Sequence, residues 1–413
     1  MNLSPALKYL RRLYNEYPPQ FRVLIGALFI DRLGGALIFP FLTLYITRQF
    51  GVGMTEVGII FGLFSLSSVI GSMISGALTD HLGRKQMLVA GLVISALTSL
   101  FLGVAHSFAL FCGGAVIAGL FSNIGGPAQQ AMVADLLPEK QRAQGFGLLR
   151  VVANLAVTIG PAIGGLLAGR SYLILFISDA VLSTITAAIV CVAIKETRPV
   201  SQAGASEQTV GQTFRGYGEV LRDTTFILFI GASILMVFVY MQMNSTLAVY
   251  LRDIHGIPDR GFGYLLSLNA ALVVLFQFPV TRRIAKYRPL RLMAAGSLLY
   301  TIGFGMYGFV STSALFVAAM LIITVGELLT APTGQALVAH FAPEDMRGRY
   351  MAVYGFSWVI PFTVGPLLAG LVMDNADPRW VWYAAGLTGL AAAGAFALLQ
   401  RRAARGLGLK APG

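Results

Sequence analysis

Twelve runs of apolar residues, each about as long as a bilayer is thick, leave this chain few ways to fold. They lie at roughly 21–47, 54–79, 86–105, 108–134, 144–169, 172–194, 226–251, 261–281, 292–310, 314–340, 350–373 and 380–399. At about 1.5 Å per helical residue, each is matched to ~30 Å of hydrocarbon. Of the 413 residues, 56% are hydrophobic and only 12% charged, so the chain cannot clothe a soluble surface. In lipid, the backbone of such a run has to satisfy its own hydrogen bonds, which makes each run a helix. The chain therefore reads as an all-α polytopic membrane protein with twelve transmembrane helices.

The runs fall into two related sets. Pro127 to Gly165 returns as Pro332 to Gly370 at a constant offset of 205 residues, with twelve of thirty-nine positions identical, among them Gln130/Gln335, Arg142/Arg347 and Gly160-Pro161/Gly365-Pro366. Each copy reads as the end of one helix, a short charged turn and a second helix broken by Gly-Pro. The expected organisation is an N-terminal six-helix half at 1–194, a linker at 195–225, a C-terminal six-helix half at 226–400 and a tail at 401–413. The linker stretch PVSQAGASEQTVGQT has no large apolar side chain beyond valine and cannot pack as a core element. Two pseudo-symmetric halves in lipid are how secondary transporters are built.

Charge placement sets the expected topology. Of the 30 Lys and Arg residues, twenty-three fall on the termini, the linker and the even-numbered loops, against five on the opposite loops: Arg48, Arg170, Arg252, Arg260 and Arg379. Both termini should then be cytoplasmic. The net charge of +12 is dispersed over these loops with no basic stripe, which argues against a nucleic-acid partner. Met1 to Gln20 has no small-residue cleavage site after an apolar core and is expected not to act as a signal peptide. Cys112 and Cys191 both sit in apolar runs and read as packing residues. The chain contains no G-x-x-x-x-G-K-[ST] loop for a nucleotide and no H-E-x-x-H pair for zinc, and its four histidines have no ligand spacing. No cofactor, metal or enzymatic chemistry is expected; the driving energy has to come from a gradient.

Three motifs carry a family likeness. The stretch after the second run, Gly76-Ala-Leu-Thr-Asp80-His-Leu-Gly83-Arg84-Lys85, resembles the signature loop of the major facilitator superfamily, and specifically of its twelve-helix drug:proton antiporters. In the fifth run, Gly160-Pro161-Ala-Ile-Gly164-Gly165 is similar to that family's antiporter motif, where proline kinks the helix and glycines allow close contact with a neighbour across the boundary between halves. Leu33-Gly34-Gly35-Ala-Leu-Ile-Phe-Pro40 in the first run resembles a third family stretch. Departures exist: His81 stands where the family usually has arginine, residues 281–290 have lost the signature pattern, and the arginine expected in the fourth run is Ala115. The resemblance implies that Arg84 pairs with Asp135 to latch a cytoplasmic gate, with Asp80 capping a helix N-terminus. It further implies a multi-pass inner-membrane transporter working as a monomer, whose partners are a small lipophilic substrate, protons and membrane lipids.

Five ionisable residues lie deep inside runs, away from their ends: Asp31, Arg32, Arg150, Asp179 and Glu327. A charge in lipid is costly unless it meets a wet cavity or a partner, so these residues carry the expected mechanism. Asp31 and Arg150 could meet near mid-membrane. Glu327, twelve residues after Leu315 and hence ~18 Å deep, has no Arg or Lys in its own run and shares a face with Thr324, Thr330 and Gly334. It is the expected principal proton-coupling and cation-recognising carboxylate, with Asp31, Asp179 and Arg150 as further proton-coupling candidates. The family architecture implies a cavity lined by the first, fourth, seventh and tenth helices. Asn123, Met236, Tyr240, Met243, Asn244 and Trp358 join Glu327 as candidate substrate contacts. The leading reading is proton-coupled export of lipophilic, often cationic compounds; an exporter of a lipid, sugar derivative or other metabolite is the alternative on the same fold.

Overall fold

The computed structural model of the chain describes residues 16–197, 218–343 and 346–406, and these are helical with short connections. Most of the expected linker, the first fifteen residues and the end of the tail lie outside the described residues, as does Glu344 of the repeat. In chain order the helices are α1 (Pro19–Ile38), α2 (Leu42–Phe50), α3 (Met54–Leu82), α4 (Arg84–Val104), α5 (Phe108–Phe121), α6 (Gly126–Leu136), α7 (Glu139–Ala168) and α8 (Tyr172–Ala193). The second set is α9 (Thr224–Ser245), α10 (Leu247–His255), α11 (Asp259–Ile284), α12 (Pro289–Met306), α13 (Ser313–Phe341), α14 (Arg347–Asn375) and α15 (Arg379–Gly406). Among the described residues, 11 helical stretches are long and apolar enough to cross a membrane, and α12, at 18 residues, completes the series of twelve. Large apolar side chains such as Leu66, Leu97, Val157, Leu275, Phe278 and Leu387 point outward, as a lipid-facing surface requires.

The expected runs and the helices differ in instructive places. The first run breaks at a single 3-10 turn, Phe39–Phe41, where Pro40 removes a donor. The seventh breaks at Thr246, because the Ser245 hydroxyl donates to Met241 O (3.0 Å) and the Thr246 hydroxyl to Gln242 Oε1 (2.7 Å), giving the backbone local alternatives to the helix ladder. The fourth breaks between Phe121 and Gly126, just before Pro127. Conversely, α7 runs through Pro161 and α14 through Pro361 and Pro366 without interruption, so the Gly-Pro pairs do not break their helices as expected.

The described residues cluster into two compact units, one from residues 16–42 and 63–197, the other from Thr43–Gly62 and the described residues from 218 onward. In the first, the core is drawn from α1, α4, α6 and α8, with Phe21, Leu24, Met87, Met132, Val133 and Val190 almost fully buried. In the second, Trp382 is fully buried against Tyr250 and Tyr307, with ring centroids 5.1 and 5.2 Å away, and the Tyr250 hydroxyl donates to Tyr307 O at 2.9 Å.

Thr43–Gly62 precedes the linker yet packs in the second unit, and polar clasps hold it there. Asp374 at the end of α14 accepts from the backbone N–H groups of Met54 (2.9 Å) and Thr55 (2.6 Å), capping α3 and complementing its N-terminal dipole. Arg252 on α10 donates to Thr47 Oγ1 (3.1 Å) and Leu44 O (3.4 Å) on α2. Gly58 and Gly370 leave no room for a Cβ between the two helices: at Gly58 it would run into the Leu367 backbone, at Gly370 into Met54. Replacing the Asp374 cap by alanine should cost about 1 kcal/mol. In detergent the Asp374→Ala protein should therefore melt a few degrees below wild type, and an unchanged midpoint would show that the cap adds nothing.

Candidate functional site

A buried carboxylate needs donors, and α13 brings Glu327 to two neighbouring helices that supply them. Tyr240 on α9 donates from its hydroxyl to Glu327 Oε1 at 3.1 Å. Asn269 on α11 donates from Nδ2 to Glu327 Oε2 at 2.9 Å and to Thr324 Oγ1 at 3.0 Å. Among the described residues no Lys, Arg or His contacts the carboxylate. Aromatic rings close the remaining side: the Tyr240 ring lies 5.8 Å from Tyr300 on α12 and 6.0 Å, edge-on, from Trp358 on α14. Tyr300 is held in turn by a 3.1 Å hydrogen bond between its hydroxyl and that of Thr330. Close passage of α12 and α13 is secured at Gly296 and Gly326, where an added Cβ would meet Thr330 and Tyr300 respectively. The site is thus a single acid ringed by neutral donors and π-faces, a setting suited to a proton or an organic cation.

Of the expected substrate contacts, Tyr240, Trp358 and Glu327 come together here. Trp358 is 42% exposed, while Met236 and Met243 are 6% and 3% exposed and belong to the packing of α9. Asn244 is half-buried on the same helix. Asn123 lies in the first unit at the break between α5 and α6, donating from Nδ2 to Ser72 Oγ at 3.2 Å, next to Ser122, whose hydroxyl donates to Ser68 Oγ at 3.2 Å. Ser122 occupies the repeat position of Glu327, so the two halves differ at this point: an interrupted helix with hydroxyls in one, a continuous helix with a carboxylate in the other.

The first unit holds a second acidic site. Asp31 on α1 accepts from Ser183 Oγ at 3.1 Å and has Arg32 beside it. Asp179, one turn earlier than Ser183 on α8, lies close enough to Asp31 for the charges to interact, and its carboxylate fills the space that a Cβ at Gly34 would take. A further turn along the seam, Thr186 donates to Ala27 O at 3.1 Å. Gly34, noted in the sequence as part of a family stretch, therefore seats Asp179. Arg150 is exposed on α7.

The signature loop is built around a clamp that the sequence did not single out. Gly83 takes a left-handed φ of 96°, and Glu196 places its carboxylate at the start of α4, accepting from Arg84 N and Lys85 N at 3.1 Å each. Lys85 Nζ donates to Cys191 O at 2.6 Å, tying α4 to the end of α8. Arg84 forms an ion pair with Asp135 at the end of α6, both partly buried. Gly76 and Asp80 fall in the last part of α3. Glu196 was missed because it stands at the edge of a polar stretch that reads as linker; its acidic side chain beside a helix start was the available signal.

The antiporter-motif glycines meet a different neighbour from the one expected. A Cβ on Gly160 would lie 2.5 Å from the Ala36 Cβ, and one on Gly164 would lie 2.6 Å from Leu37 O and 2.8 Å from a Phe41 ring carbon. The nearest atoms thus belong to the first run, in the same unit, where the motif had suggested a helix of the other half. Pro161 and Gly165 are buried beside them. In the second copy, a Cβ on Gly365 would sit 3.4 Å from the Phe238 ring, an ordinary contact, so the tight closure at Gly160 is not repeated at its partner position.

Two related helical halves in lipid, carrying acids supplied with neutral donors, define a secondary transporter. The sequence profile of the Major Facilitator Superfamily matches residues 24–262 and 240–412, and the chain belongs to that family. It is a transporter and not an enzyme. A Na(+), Li(+), K(+)/H(+) antiporter of Planococcus maritimus is 28% identical over 395 residues, covering 88% of this chain and 90% of that protein. Multidrug resistance protein MdtH of Shigella dysenteriae is 25% identical over 383 residues, covering 91% and 93%. In fold, the chain is similar to the nucleoside transporter NupG (TM-score 0.79, 14% identity, covering 92% and 99%) and to a POT family transporter (0.75, 16%, 93% and 96%).

Two substitutions check this geometry. Gly164→Leu has no room against Leu37 and Phe41, and overpacking of this kind costs about 1–3 kcal/mol. A clear drop in thermal midpoint is expected, and a wild-type midpoint would contradict the seam. Glu196→Ala removes the cap of α4, worth about 1 kcal/mol. Amide exchange at Arg84 and Lys85 should accelerate in that variant while α9–α15 keep their protection; unchanged exchange would contradict the clamp.

Proposed function

We propose that this chain exports lipophilic, often cationic compounds in exchange for protons, by alternating access. The observation that carries the reading is Glu327: an acid inside the membrane with no basic partner among the described residues, donors from Tyr240 and Asn269, and Tyr240, Tyr300 and Trp358 around it. Such an acid can hold either a proton or a cation but not both, and that exclusion is what couples the two flows. Aromatic faces add attraction for a desolvated organic cation. Asp31 and Asp179 serve as secondary proton carriers in the first unit. The Arg84–Asp135 pair, with Asp80, latches a gate on the signature-loop side, and the tight α1–α7 seam lets those helices move as one body. Both termini lie in the cytoplasm, following the distribution of Lys and Arg.

Exchange of alkali cations for protons is a second reading, favoured by the name of the Planococcus maritimus relative. It would use the same carboxylate, but it leaves the rings beside Glu327 without a task.

Glu327→Gln imitates the protonated acid and keeps its size. In proteoliposomes with an imposed pH gradient, that variant should insert normally and lose ethidium export by about tenfold or more, within the range of typical coupling energies. Retained gradient-dependent export would move the coupling role to Asp31 or Asp179. Sodium or lithium moving in place of ethidium in the wild-type protein would favour the second reading.

A further inference from the structure

The donors around Glu327 are not equivalent. Asn269 has two hydrogens on Nδ2; one goes to Glu327 Oε2 at 2.9 Å and the other to Thr324 Oγ1 at 3.0 Å. Thr324 can only accept there, because its own hydrogen goes to Met320 O, one turn back on α13, at 2.7 Å. A backbone carbonyl never donates, so while the Thr324 hydroxyl stays on Met320 O the direction of this chain is set. Turning the Asn269 amide would aim its carbonyl at a Thr324 oxygen whose hydrogen is already spent, leaving a buried acceptor short. Tyr240 is different: it donates to Oε1 at 3.1 Å, and a hydroxyl changes from donor to acceptor by rotating about one bond.

The other groups around the acid do not alter this. Tyr300 on α12 shares its hydroxyl with Thr330, Trp358 on α14 contributes a ring edge, and no charged side chain contacts the acid from α9, α11, α12 or α14 among the described residues. The two carboxylate oxygens therefore have unequal freedom to become O–H.

We infer that Asn269 is a positioning residue: together with Thr324 it reserves Oε2 as a permanent acceptor and leaves Oε1, under the Tyr240 hydroxyl, as the oxygen that takes up and releases the proton. This rests on the reading of Glu327 as the coupling carboxylate. On loading, a proton from water reaching the site forms an O–H bond at Oε1, that O–H donates to Tyr240 Oη, and the tyrosine hydrogen turns away. On release the O–H bond breaks, the proton returns to water and Tyr240 turns back. The bond from Asn269 to Oε2 persists in both states, so α11 and α13 stay joined through the cycle.

The test uses the full chain in proteoliposomes, ethidium as probe and two readouts. One is accumulation driven by an imposed pH gradient; the other is ethidium exchange at equal pH on both sides, which moves no net protons. Thr324→Val keeps shape but removes the acceptor that orients the amide, and Thr324→Ser retains it. Thr324→Val and Asn269→Leu should each lower driven accumulation about tenfold, in Thr324→Val exchange should stay within about twofold, and Thr324→Ser should behave as wild type. Should Asn269→Leu fail to fold, the Thr324 pair decides alone. Equal losses in both readouts would mark Asn269 as merely structural, and a wild-type ratio in Thr324→Val would overturn the inference. If Glu327→Gln loses driven accumulation while these variants keep it, this inference alone fails; if Glu327→Gln keeps it, the reading of Glu327 fails first.

Discussion

A carboxylate inside hydrocarbon has to be given hydrogen-bond donors by other helices, and much of this structure follows from meeting that demand. The energetic reason is the low dielectric, which makes an unmet polar group cost several kcal/mol where water would charge little. Glu327 draws donors from α9 and α11, and those helices are consequently fixed in rotation as well as position. Asp31 does the same for α1 and α8 through Ser183. Each unit thus contains an acidic site that doubles as a registration device for its helices.

Small residues make this possible. In a bilayer, helices gain little from burying apolar surface against one another, so contact depends on close approach of backbones. Gly34 makes room for Asp179, Gly160 and Gly164 bring α7 against α1, and Gly296 and Gly326 bring α12 against α13 beneath Tyr300. Charged and polar clasps then act at helix ends, outside the most apolar zone: Glu196 on α4, Asp374 on α3, and the Arg84–Asp135 pair. Neutral donors bind the embedded acids, with Arg32 also beside Asp31, and the Arg84–Asp135 ion pair lies near a loop.

The repeat is obeyed in architecture and broken in chemistry. Ser122 and Glu327 occupy equivalent positions, yet the first lies at a helix break and the second within a continuous helix. Pro127 and Pro332 are likewise equivalent, and only the first starts a helix. The difference lies upstream: Asn123 and the Gly125-Gly126 pair loosen one copy, whereas Leu328, Leu329 and Thr330 keep the other wound. A duplicated scaffold therefore need not carry duplicated sites.

The class was legible from the chain alone, because hydropathy, loop charge and a 205-residue repeat need no knowledge of contacts. The sequence also marked Glu327, since one acid in an apolar helix without a basic neighbour is conspicuous at any rotation. Which side chains meet that acid was decided only by tertiary structure: Asn269 stands 58 residues away in a helix whose apolar pattern does not say which face turns inward. Nearly all-round apolar helices lose the amphipathic signal that would reveal their orientation. For the same reason the sequence does not show that Met236 and Met243 are almost fully buried. The glycine motifs were legible as places of close approach, but the partner at each, Asp179 over Gly34 and α1 against Gly164, depends on how the helices cross, which no local pattern encodes.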